Sequence, residues 1–380
     1  MHVTEPDDLR EWRATVERFV TEEFGVDYFR ERYRDREYPH ELYDAVVDRG
    51  WLGVQVPEAH GGEGRSHVEM AVLLEALGSY GYDFGMPVLL STTGVLTLLD
   101  HGSEAQCERF VPRLLDGDVR FSIGVTEPQS GSDAAGVETR AERRGDTYHV
   151  TGEKTYQSGA AAPGNHVAAY VRTDPDSSRE EGLSLLLVPN DAPGVDVETL
   201  PLVARKAVGT NRITFDDAEV PAANRVGDEG EGWTILGDHL TREHTYMAAV
   251  MVGNAATALE TASAAVEDRE RFGRRVADFQ AVEHRLADLR TEVDAARLLV
   301  YRAASKLDDG SATRRHASQA KLKAGEVLKE VSSESVQLLG GAGLHPDNDV
   351  ERYWREGASA TIAGATSEIH RSIIASHLRE

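Results

Sequence analysis

The stretch "FQAVEHRLADLRTEVDAARLLV", residues 279–300, repeats apolar side chains at close to heptad spacing. The repeating positions are Phe279, Val282, Leu286, Leu289, Val293, Ala296 and Val300. This spacing places the apolar side chains on one face of a long helix. A second long helix is predicted from about Ala312 to Leu339. Because long antiparallel helices with short connections are typical of a helix bundle, the sequence predicts a bundle in this part of the chain.

Two regions with different patterns of apolar residues precede the predicted bundle. Residues 1–118 contain amphipathic segments such as "PHELYDAVVDRGW" and "EMAVLLEALGSYG", which glycine-containing loops separate. Residues 119–228 change to short β-branched runs such as "TYHVTGEKTY" and "RITFDDAEVP". The sequence therefore predicts an α+β multidomain fold. Its parts are an N-terminal α-helical domain (1–118), a central antiparallel β-sandwich or barrel domain (119–228) and a C-terminal four-helix-bundle domain (229–380).

The amino-acid composition limits which binding partners and which cellular location are expected. The 380 residues include 41 Lys and Arg against 65 Asp and Glu, for a net charge of −24. Because such a surface repels nucleic acid and anionic lipid, neither nucleic acid nor a membrane is an expected partner. The acid excess is spread along the chain, as on a halophilic-type surface. The single cysteine, Cys107, excludes intrachain disulfides. No signal-peptide pattern or apolar run of about 18 residues is visible, so we expect a cytoplasmic protein.

Metal and nucleophile chemistry find no support in the sequence. The one Glu-x-x-His match, from Glu37 to His40, contains Pro39 and does not suit a di-iron bundle. The histidines lack ligand spacing, so no metal site is expected. Nucleophile elbows, Walker loops and dinucleotide-binding glycine motifs are also missing.

Three short stretches carry residues that can bind a ligand. "FSIGVTEPQSGSDAAG" (121–136) offers hydroxyls and amides, although such loops are commonly ordinary turns. Tyr156 and Ser158 are two positions apart on a predicted strand, so their side chains lie on the same face. There they either line a site for a flat ligand or pack in the core. In "VQLLGGAGLHP" (336–346), Gly340 suits a helix C-cap and Gly341 permits close backbone approach. From the residues alone, both interpretations of each stretch stay open.

A carboxylate interrupts an apolar helix face in "LTREHTYMAAVMVG", residues 240–253. Glu243 shares helical spacing with Met247 and Val250. One interpretation is a buried functional carboxylate; the other is a surface carboxylate paired with Arg242 or His244.

Several motifs in a fixed order resemble the acyl-CoA dehydrogenase family. They are "VPEAHGGEG", "VTEPQSGSD", "ERFGRRVADFQAVEHRLADL", "VQLLGGAGL" and "GATSEIHR". The resemblance runs through essentially the whole chain and has the same helical, β, helical order. It implies a homotetramer, or a homodimer, that binds FAD and acts on acyl-CoA in fatty acid or branched-chain amino acid catabolism. It further implies α,β-dehydrogenation to a trans-2-enoyl-CoA, with electrons passed to an electron transfer flavoprotein.

The resemblance also assigns cofactor contacts position by position. Thr126 is expected to hydrogen-bond the flavin ring, and Ser132 to lie near both the flavin and the acyl chain. Tyr156 and Ser158 stand where the family often has tryptophan and threonine, and they keep a flat wall beside a hydroxyl. The positions that match the family's remaining cofactor contacts are Arg269, Phe272, Gln280, Gln337, Gly340, Gly341, Thr366 and Glu368.

The catalytic glutamate of many family members is missing from its usual loop. That position is Gly364 here, beside Ala363. A minority branch, which includes isovaleryl- and long-chain-type enzymes, carries the base on the first helix of the C-terminal domain. Counting back ten residues from Gly253 reaches Glu243, so the resemblance implies that Glu243 is the base. The two small residues would leave room for its carboxylate.

The substrate side includes one departure from the family. His244 replaces the usual arginine, and the residues expected to face the substrate are Ser132, His244, Ala363 and Gly364. Because histidine is charged only near or below neutrality, this replacement is compatible with an altered pocket, a pH-dependent enzyme or a different thioester. The alternatives are a flavoprotein oxidase or monooxygenase, an acyl-carrier-protein-linked dehydrogenase, or a non-catalytic flavin-binding scaffold of the same fold.

Overall fold

The computed structural model describes residues 6–378 of the chain. Its helices are α1 (Asp7–Arg18), α2 (Gly25–Asp35), α3 (His40–Asp48), α4 (His67–Gly78), α5 (Met86–His101), α6 (Glu104–Leu115), α7 (Gly232–Glu267), α8 (Gln280–Asp308), α9 (Arg314–Leu339), α10 (Asp349–Ala360) and α11 (Ser367–Ser376). Its strands are β1 (Arg120–Gly124), β2 (Arg140–Arg144), β3 (Thr147–Ser158), β4 (Asn165–Arg172), β5 (Leu183–Pro189), β6 (Val195–Thr199), β7 (Thr210–Pro221), β8 (Arg225–Val226), β9 (Glu270–Arg271) and β10 (Arg274–Arg275). The predicted order of helices, strands and helices is confirmed.

Packing divides the described chain into two compact units. The first unit comprises residues up to 35, residues 66–85 and residues from 244 onward; the second comprises 36–65 and 86–243. Helix α7 belongs to the second unit through Glu243 and to the first from His244. Because this division follows contacts rather than chain order, the three domain boundaries given above remain a prediction.

The first unit is a packed set of helices. Helix α9 packs against α8, α10 and α11, and α4 packs against α1 and α8. The heptad positions Leu289, Val293 and Val300 are buried as predicted, whereas Val282 and Leu286, near the start of α8, are half-buried. The second predicted long helix is α9.

Two glycines bring α4 and α7 into backbone contact within the first unit. A Cβ added at Gly253 would lie 1.9 Å from the carbonyl oxygen of Glu75. A Cβ added at Gly78 would lie 2.3 Å from the carbonyl oxygen of Val250. Larger residues cannot be placed at this crossing without shifting backbone, so the crossing fixes the register of α7 on α4.

The second unit is built around one sheet. Its strand order is β6-β7-β3-β2-β4-β5-β8, and β1 pairs with β4 beside this path. The long ladders are antiparallel as predicted, while β1 runs parallel to β4 over five residue pairs from Arg120↔Asn165 to Gly124↔Ala169. A parallel pair needs a long connection, and residues 125–164 between these strands provide it. The core of the sheet includes Tyr148, Val150, Val167, Leu186, Ile213 and Phe215.

One segment is long and apolar enough to span a membrane by composition. Residues Tyr82–His101, which include α5, qualify, but 94% of their most apolar window is buried inside the structure. Such burial is typical of a core helix, because a membrane-spanning helix needs its apolar surface for lipid. Within the second unit, α5 packs against β1 and α6.

Candidate active site

Glu243 is buried on α7. Only 5% of its surface is exposed, and Met247 and Val250 on the same helix face are buried as well. Arg242 forms an ion pair with Asp100 instead of pairing with Glu243. Glu243 is therefore buried and is not a surface carboxylate, and its catalytic role stays a prediction.

A histidine one helical turn earlier lies close to the Glu243 carboxylate. His239 Nε2 lies 3.3 Å from Glu243 Oε2, and both side chains are buried. His239 Nδ1 lies 2.9 Å from the hydroxyl oxygen of Thr97 on α5. The buried carboxylate is thus held at the end of a row of polar groups in an otherwise apolar environment. A carboxylate group that little water reaches suits the role of a general base.

In the first unit, the loop between α10 and α11 adopts a left-handed backbone at two successive positions. Gly364 has φ +62° and Ala365 has φ +65°. Lys321 from α9 supports this conformation by donating to the carbonyl oxygens of Ala360, at 3.1 Å, and Ala365, at 2.8 Å. A Cβ at Gly364 would lie 2.5 Å from the sulfur of Met247. The position where many family members carry the base therefore favours glycine.

Replacing Gly364 with alanine is expected to lower the free energy of unfolding by about 1–2 kcal/mol, because a Cβ is strained at positive φ. The measurement is chemical denaturation of wild type and variant. Gly310→Ala is the matched control, since Gly310 has φ +70° and nothing within 4 Å of an added Cβ. A larger loss at Gly364 than at Gly310 would measure the cost of moving Met247. Unchanged stability in Gly364→Ala would show that the loop does not need glycine.

His370 joins this loop to His244. Nε2 of His370 donates to the carbonyl oxygen of Gly364 at 2.9 Å. The rings of His370 and His244 meet edge to face, with centroids 4.8 Å apart. Burial, and then the charge of Lys321, lower the pKa of His370 to about 4, so its ring is neutral at physiological pH. Two of the residues predicted to face the substrate, His244 and Gly364, are thereby brought together, with Ala363 next to them.

In the second unit, the "VTEP" turn is anchored by a buried ion pair. Lys154 Nζ lies 2.8 Å from Glu127 Oε1 and also donates to the carbonyl oxygens of Val125 and Tyr170. Burial lowers the pKa of Lys154 to about 8, against the opposing effect of Glu127. Burial opposes ionisation of Glu127, but Lys154 and the amide of Glu138 together lower the pKa of that carboxyl. Both groups are therefore charged at neutral pH.

This anchor positions the residue predicted to contact the flavin ring. The carbonyl oxygen of Thr126 accepts from the amide of Thr155 at 2.9 Å, which ties the turn to β3. Within residues 6–378 no group hydrogen-bonds the amide or hydroxyl of Thr126, so both can serve a ligand. Ser132 is exposed in the following loop.

Tyr156 does not follow the alternation expected of a regular strand. The pairing of β3 with β7 shifts register between Lys154 and Gln157, and Tyr156 has φ +61°. The bulge leaves Tyr156 61% exposed. Ser158 is half-buried and accepts from Arg205 at 3.0 Å. The core-packing interpretation of Tyr156 is therefore wrong, and its role as a flat wall for the flavin stays a prediction.

The predicted adenine-diphosphate contacts lie in the first unit. Arg269 donates to the carbonyl oxygens of Leu338, at 3.1 Å, and Leu339, at 2.9 Å, which brings it to the end of α9. Gly340 follows there with φ +63°, and an added Cβ at Gly340 or Gly341 would meet nothing within 4 Å. The predicted contacts that are exposed in this unit are Phe272, which is 95% exposed, Gln280 and Gln337.

Thr366 and Glu368 border an open cleft of about 650 Å³. The Thr366 hydroxyl caps α11 by accepting from the amide of Ile369 at 3.3 Å. The cleft is lined by Arg285, Glu326, Lys329, Glu330, Ser333, Glu334, Thr361, Ile362, Thr366, Ser367 and Glu368. The backbone amide of Glu368 itself, and then the Thr366 side chain, lower the pKa of the Glu368 carboxyl, which stays ionised at neutral pH.

Each unit, taken by itself, offers groups of the kind that bind one part of a dinucleotide. In the second unit, Thr126 and Tyr156 offer free polar groups and an exposed aromatic face. In the first unit, Arg269 and the Gly340–Gly341 turn combine a positive charge with open backbone, which suits a diphosphate. The residues overlooked in the sequence are Thr97 and His239. The spacing of four between His239 and Glu243 was the available signal.

Comparison with known proteins identifies the family. Three sequence profiles match: acyl-CoA dehydrogenase N-terminal domain at residues 6–118, middle domain at 122–218 and C-terminal domain at 230–379. The caffeyl-CoA reductase-Etf complex subunit CarC of Acetobacterium woodii is 31% identical and covers 96% of this chain and 97% of its own length.

Solved structures agree with the sequence matches. Butyryl-CoA dehydrogenase from Megasphaera elsdenii superposes with a TM-score of 0.95 at 27% identity, covering 100% of both chains. A glutaryl-CoA dehydrogenase from Mycobacterium smegmatis in complex with FADH2 superposes with a TM-score of 0.91 at 25% identity, covering 98% of this chain and 95% of its own. The chain therefore belongs to the acyl-CoA dehydrogenase family. It is an oxidoreductase that acts on CH–CH bonds, with FAD as its cofactor.

Proposed function

We propose that this enzyme dehydrogenates an acyl-CoA thioester with Glu243 as the catalytic base. The proposal is carried by the buried carboxylate on α7, together with the glycine that occupies the usual position of the base in the loop before α11. Glu243 is a carboxylate with 5% exposure at the position of the relocated base, while the usual position is Gly364 with φ +62°. A buried carboxylate without a catalytic role is costly, so its presence at this position supports the assignment.

The reaction removes two hydrogens from adjacent carbons. Glu243 takes the α-proton of the thioester, the β-carbon gives up a hydride, and a trans double bond forms between the two carbons. FAD, when bound, supplies the hydride acceptor and is reduced. An α-proton next to a thioester is weakly acidic, so burial of the Glu243 carboxylate away from water favours the transfer.

The cofactor contacts are proposed from their chemistry. Thr126 would hydrogen-bond the flavin edge, Tyr156 would cover the ring, and Ser158 would add a hydroxyl that Arg205 holds. Arg269 and the Gly340–Gly341 turn receive the diphosphate, with the remaining predicted positions Phe272, Gln280, Gln337, Thr366 and Glu368 as further contacts.

The substrate and partners are proposed at the level of class. His244, Ala363, Gly364 and Ser132 border the acyl thioester. An electron transfer flavoprotein is the proposed electron acceptor; the name of the CarC relative, a subunit of a reductase-Etf complex, supports this class of partner. We further propose a cytoplasmic homotetramer or homodimer that acts in fatty acid or branched-chain amino acid catabolism, with a surface adapted to salt.

Anaerobic titration of the holoenzyme with straight-chain, branched and aromatic acyl-CoAs tests the function. We expect the oxidised flavin's visible absorbance to bleach with at least one thioester, and an electron transfer flavoprotein to reoxidise it. Oxygen consumption coupled to turnover would favour an oxidase or monooxygenase, and bleaching only with carrier-protein thioesters would favour a carrier-linked enzyme. Bound flavin that no thioester bleaches would favour a non-catalytic scaffold and contradict the proposal.

A further inference from the structure

Arg205 is a buried arginine in the loop between β6 and β7 of the second unit. Only 5% of its surface is exposed, and its backbone is left-handed with φ +59°. Arginine is rarely buried, and a residue that carries a Cβ is rarely held in this backbone region. Because each of these features costs free energy, their combination at one residue indicates a functional constraint on its position.

The loop that carries Arg205 lies against the end of β3. The amide of Gly159, directly after this strand, donates to the carbonyl oxygen of Gly209 at 3.0 Å. The other buried residues of the loop are Ala204, Ala207 and Val208. This packing brings the guanidinium of Arg205 to Ser158, the last residue of β3.

The hydrogen bond between Arg205 and Ser158 has a fixed direction. Arg205 Nη2 donates to Ser158 Oγ at 3.0 Å, and a guanidinium has donors only. The Ser158 oxygen therefore accepts, and the single proton of its hydroxyl is not used in this contact. Among residues 6–378, no group accepts that proton. A hydrogen bond from a charged donor also polarises the hydroxyl, which makes it a stronger donor.

The unused proton of Ser158 suits a ligand that presents acceptor atoms. Ser158 is half-buried, and Tyr156, two residues before it, is 61% exposed. The oxidised flavin ring carries carbonyl oxygens and unprotonated nitrogens, all of which accept hydrogen bonds, and such bonds tune its electronic properties. A hydroxyl that can only donate outward therefore complements the oxidised ring.

We propose that Arg205 is a positioning residue that makes the Ser158 hydroxyl a hydrogen-bond donor to an acceptor atom of the oxidised flavin ring. The proposal rests on the proposed contact between Ser158 and the flavin. Arg205 acts on the cofactor through Ser158 rather than by direct contact. Without the guanidinium, the hydroxyl is free to rotate, and FAD loses an oriented and polarised donor.

The first test is a double-mutant cycle on the binding of oxidised FAD to the apoprotein, with no substrate present. Arg205→Met should weaken binding about tenfold or more, because the hydroxyl loses its charged partner and its orientation. In the Ser158→Ala background, the same replacement should change the Kd by less than about threefold. Equal weakening in both backgrounds, or no weakening in either, would overturn the proposal.

Arg212→Met is the matched control for this cycle. Arg212 lies on β7 of the same unit, is exposed, and pairs with Glu153 and Glu198. It should bind FAD as wild type does, and weakening equal to that of Arg205→Met would show a general charge effect and contradict the proposal. Methionine is unbranched at Cβ, as arginine is, so the backbone strain at φ +59° is unchanged in Arg205→Met. If Arg205→Met does not fold, Arg205→Gln, with a shorter polar side chain, repeats the cycle.

The second test measures the visible absorption of bound oxidised FAD at saturating cofactor, which responds to hydrogen bonds at the ring whatever the affinity. Arg205→Met and Ser158→Ala should shift the bands alike relative to wild type, and the double variant should show no further shift. Because neither test uses a thioester or depends on Glu243, failure of the proposed base would leave both results unchanged. A spectrum of Arg205→Met identical to that of wild type would overturn the proposal.

Discussion

Replacing Glu243 with glutamine lowers the rate of flavin reduction by an acyl-CoA substrate by about 10²–10⁴-fold, the usual contribution of a positioned general base. Glutamine keeps the size and polarity of the side chain but cannot accept a proton. The variant is expected to fold and to retain FAD, because Glu243 is not among the proposed flavin contacts. The measurement is anaerobic stopped-flow absorbance at saturating substrate.

Glu260→Gln is the matched control for this prediction. Glu260 lies on the same helix, is exposed and has only a distant ion-pair contact, at 3.7 Å from Arg290. It should reduce its flavin at the wild-type rate. A Glu243→Gln enzyme as fast as Glu260→Gln would mean that another group removes the α-proton.

The second large effect concerns the ion pair under the "VTEP" turn. Lys154→Met is expected to lower the free energy of unfolding by about 3–5 kcal/mol, because it leaves the charge of Glu127 buried without its partner. Lys154 is 0% exposed, so water cannot replace the lost contact. Chemical denaturation of the apoprotein at neutral pH measures this loss. In the holoenzyme, weaker binding of FAD should accompany it, because the turn contains Thr126.

The double variant Lys154→Met, Glu127→Gln is the control. It removes both charges while the glutamine oxygen still accepts the amide of Thr139, which lies 3.0 Å from Glu127 Oε1. It should recover much of the stability lost in the single variant. Equal losses in the two variants would show that the cost comes from packing rather than from the uncompensated charge.

The pair also predicts the direction of acid destabilisation. The pKa of Glu127 is lowered from its ordinary value of 4.5 in the folded protein, so the unfolded chain binds this proton first as the pH falls. The stabilising contribution is therefore present above pH 4.5 and is lost as the pH falls through the lowered folded value. Lys154 keeps its proton up to about pH 8. Melting temperatures of wild type should fall below pH 4.5 more steeply than those of the double variant.

The fold class and the buried state of Glu243 could be predicted from sequence because both follow from periodicity. Apolar spacing identified α8, α9 and the α7 face that contains Glu243. The parallel pairing of β1 with β4 could not be predicted, since it joins strands that are distant along the chain. The exposed, left-handed Tyr156 was also unpredictable, because a bulge depends on the register of β7 and not on the local sequence.

The polar groups around the candidate base depended most on the three-dimensional structure. The contact of His239 with Glu243 lies within one helix and was within reach of a spacing argument. Thr97 comes from α5, far away in the sequence, and only packing shows that its hydroxyl lies 2.9 Å from His239 Nδ1. The partnership of Lys154 with Glu127 similarly joins a strand to a turn. The residue types could suggest that these side chains interact with a partner, but only the packed structure shows which side chain each of them contacts.

Glu243 is the group proposed to remove the α-proton. The most direct measurement is deuterium incorporation from D₂O at the α-carbon of an acyl-CoA whose β-position is sulfur, because such a thioester can lose a proton but cannot give up a hydride. Holoenzyme of wild type and Glu260→Gln should exchange the α-hydrogens well above the uncatalysed rate, and Glu243→Gln should fall close to that background. Exchange by Glu243→Gln at the wild-type rate would contradict the role of Glu243 as the base.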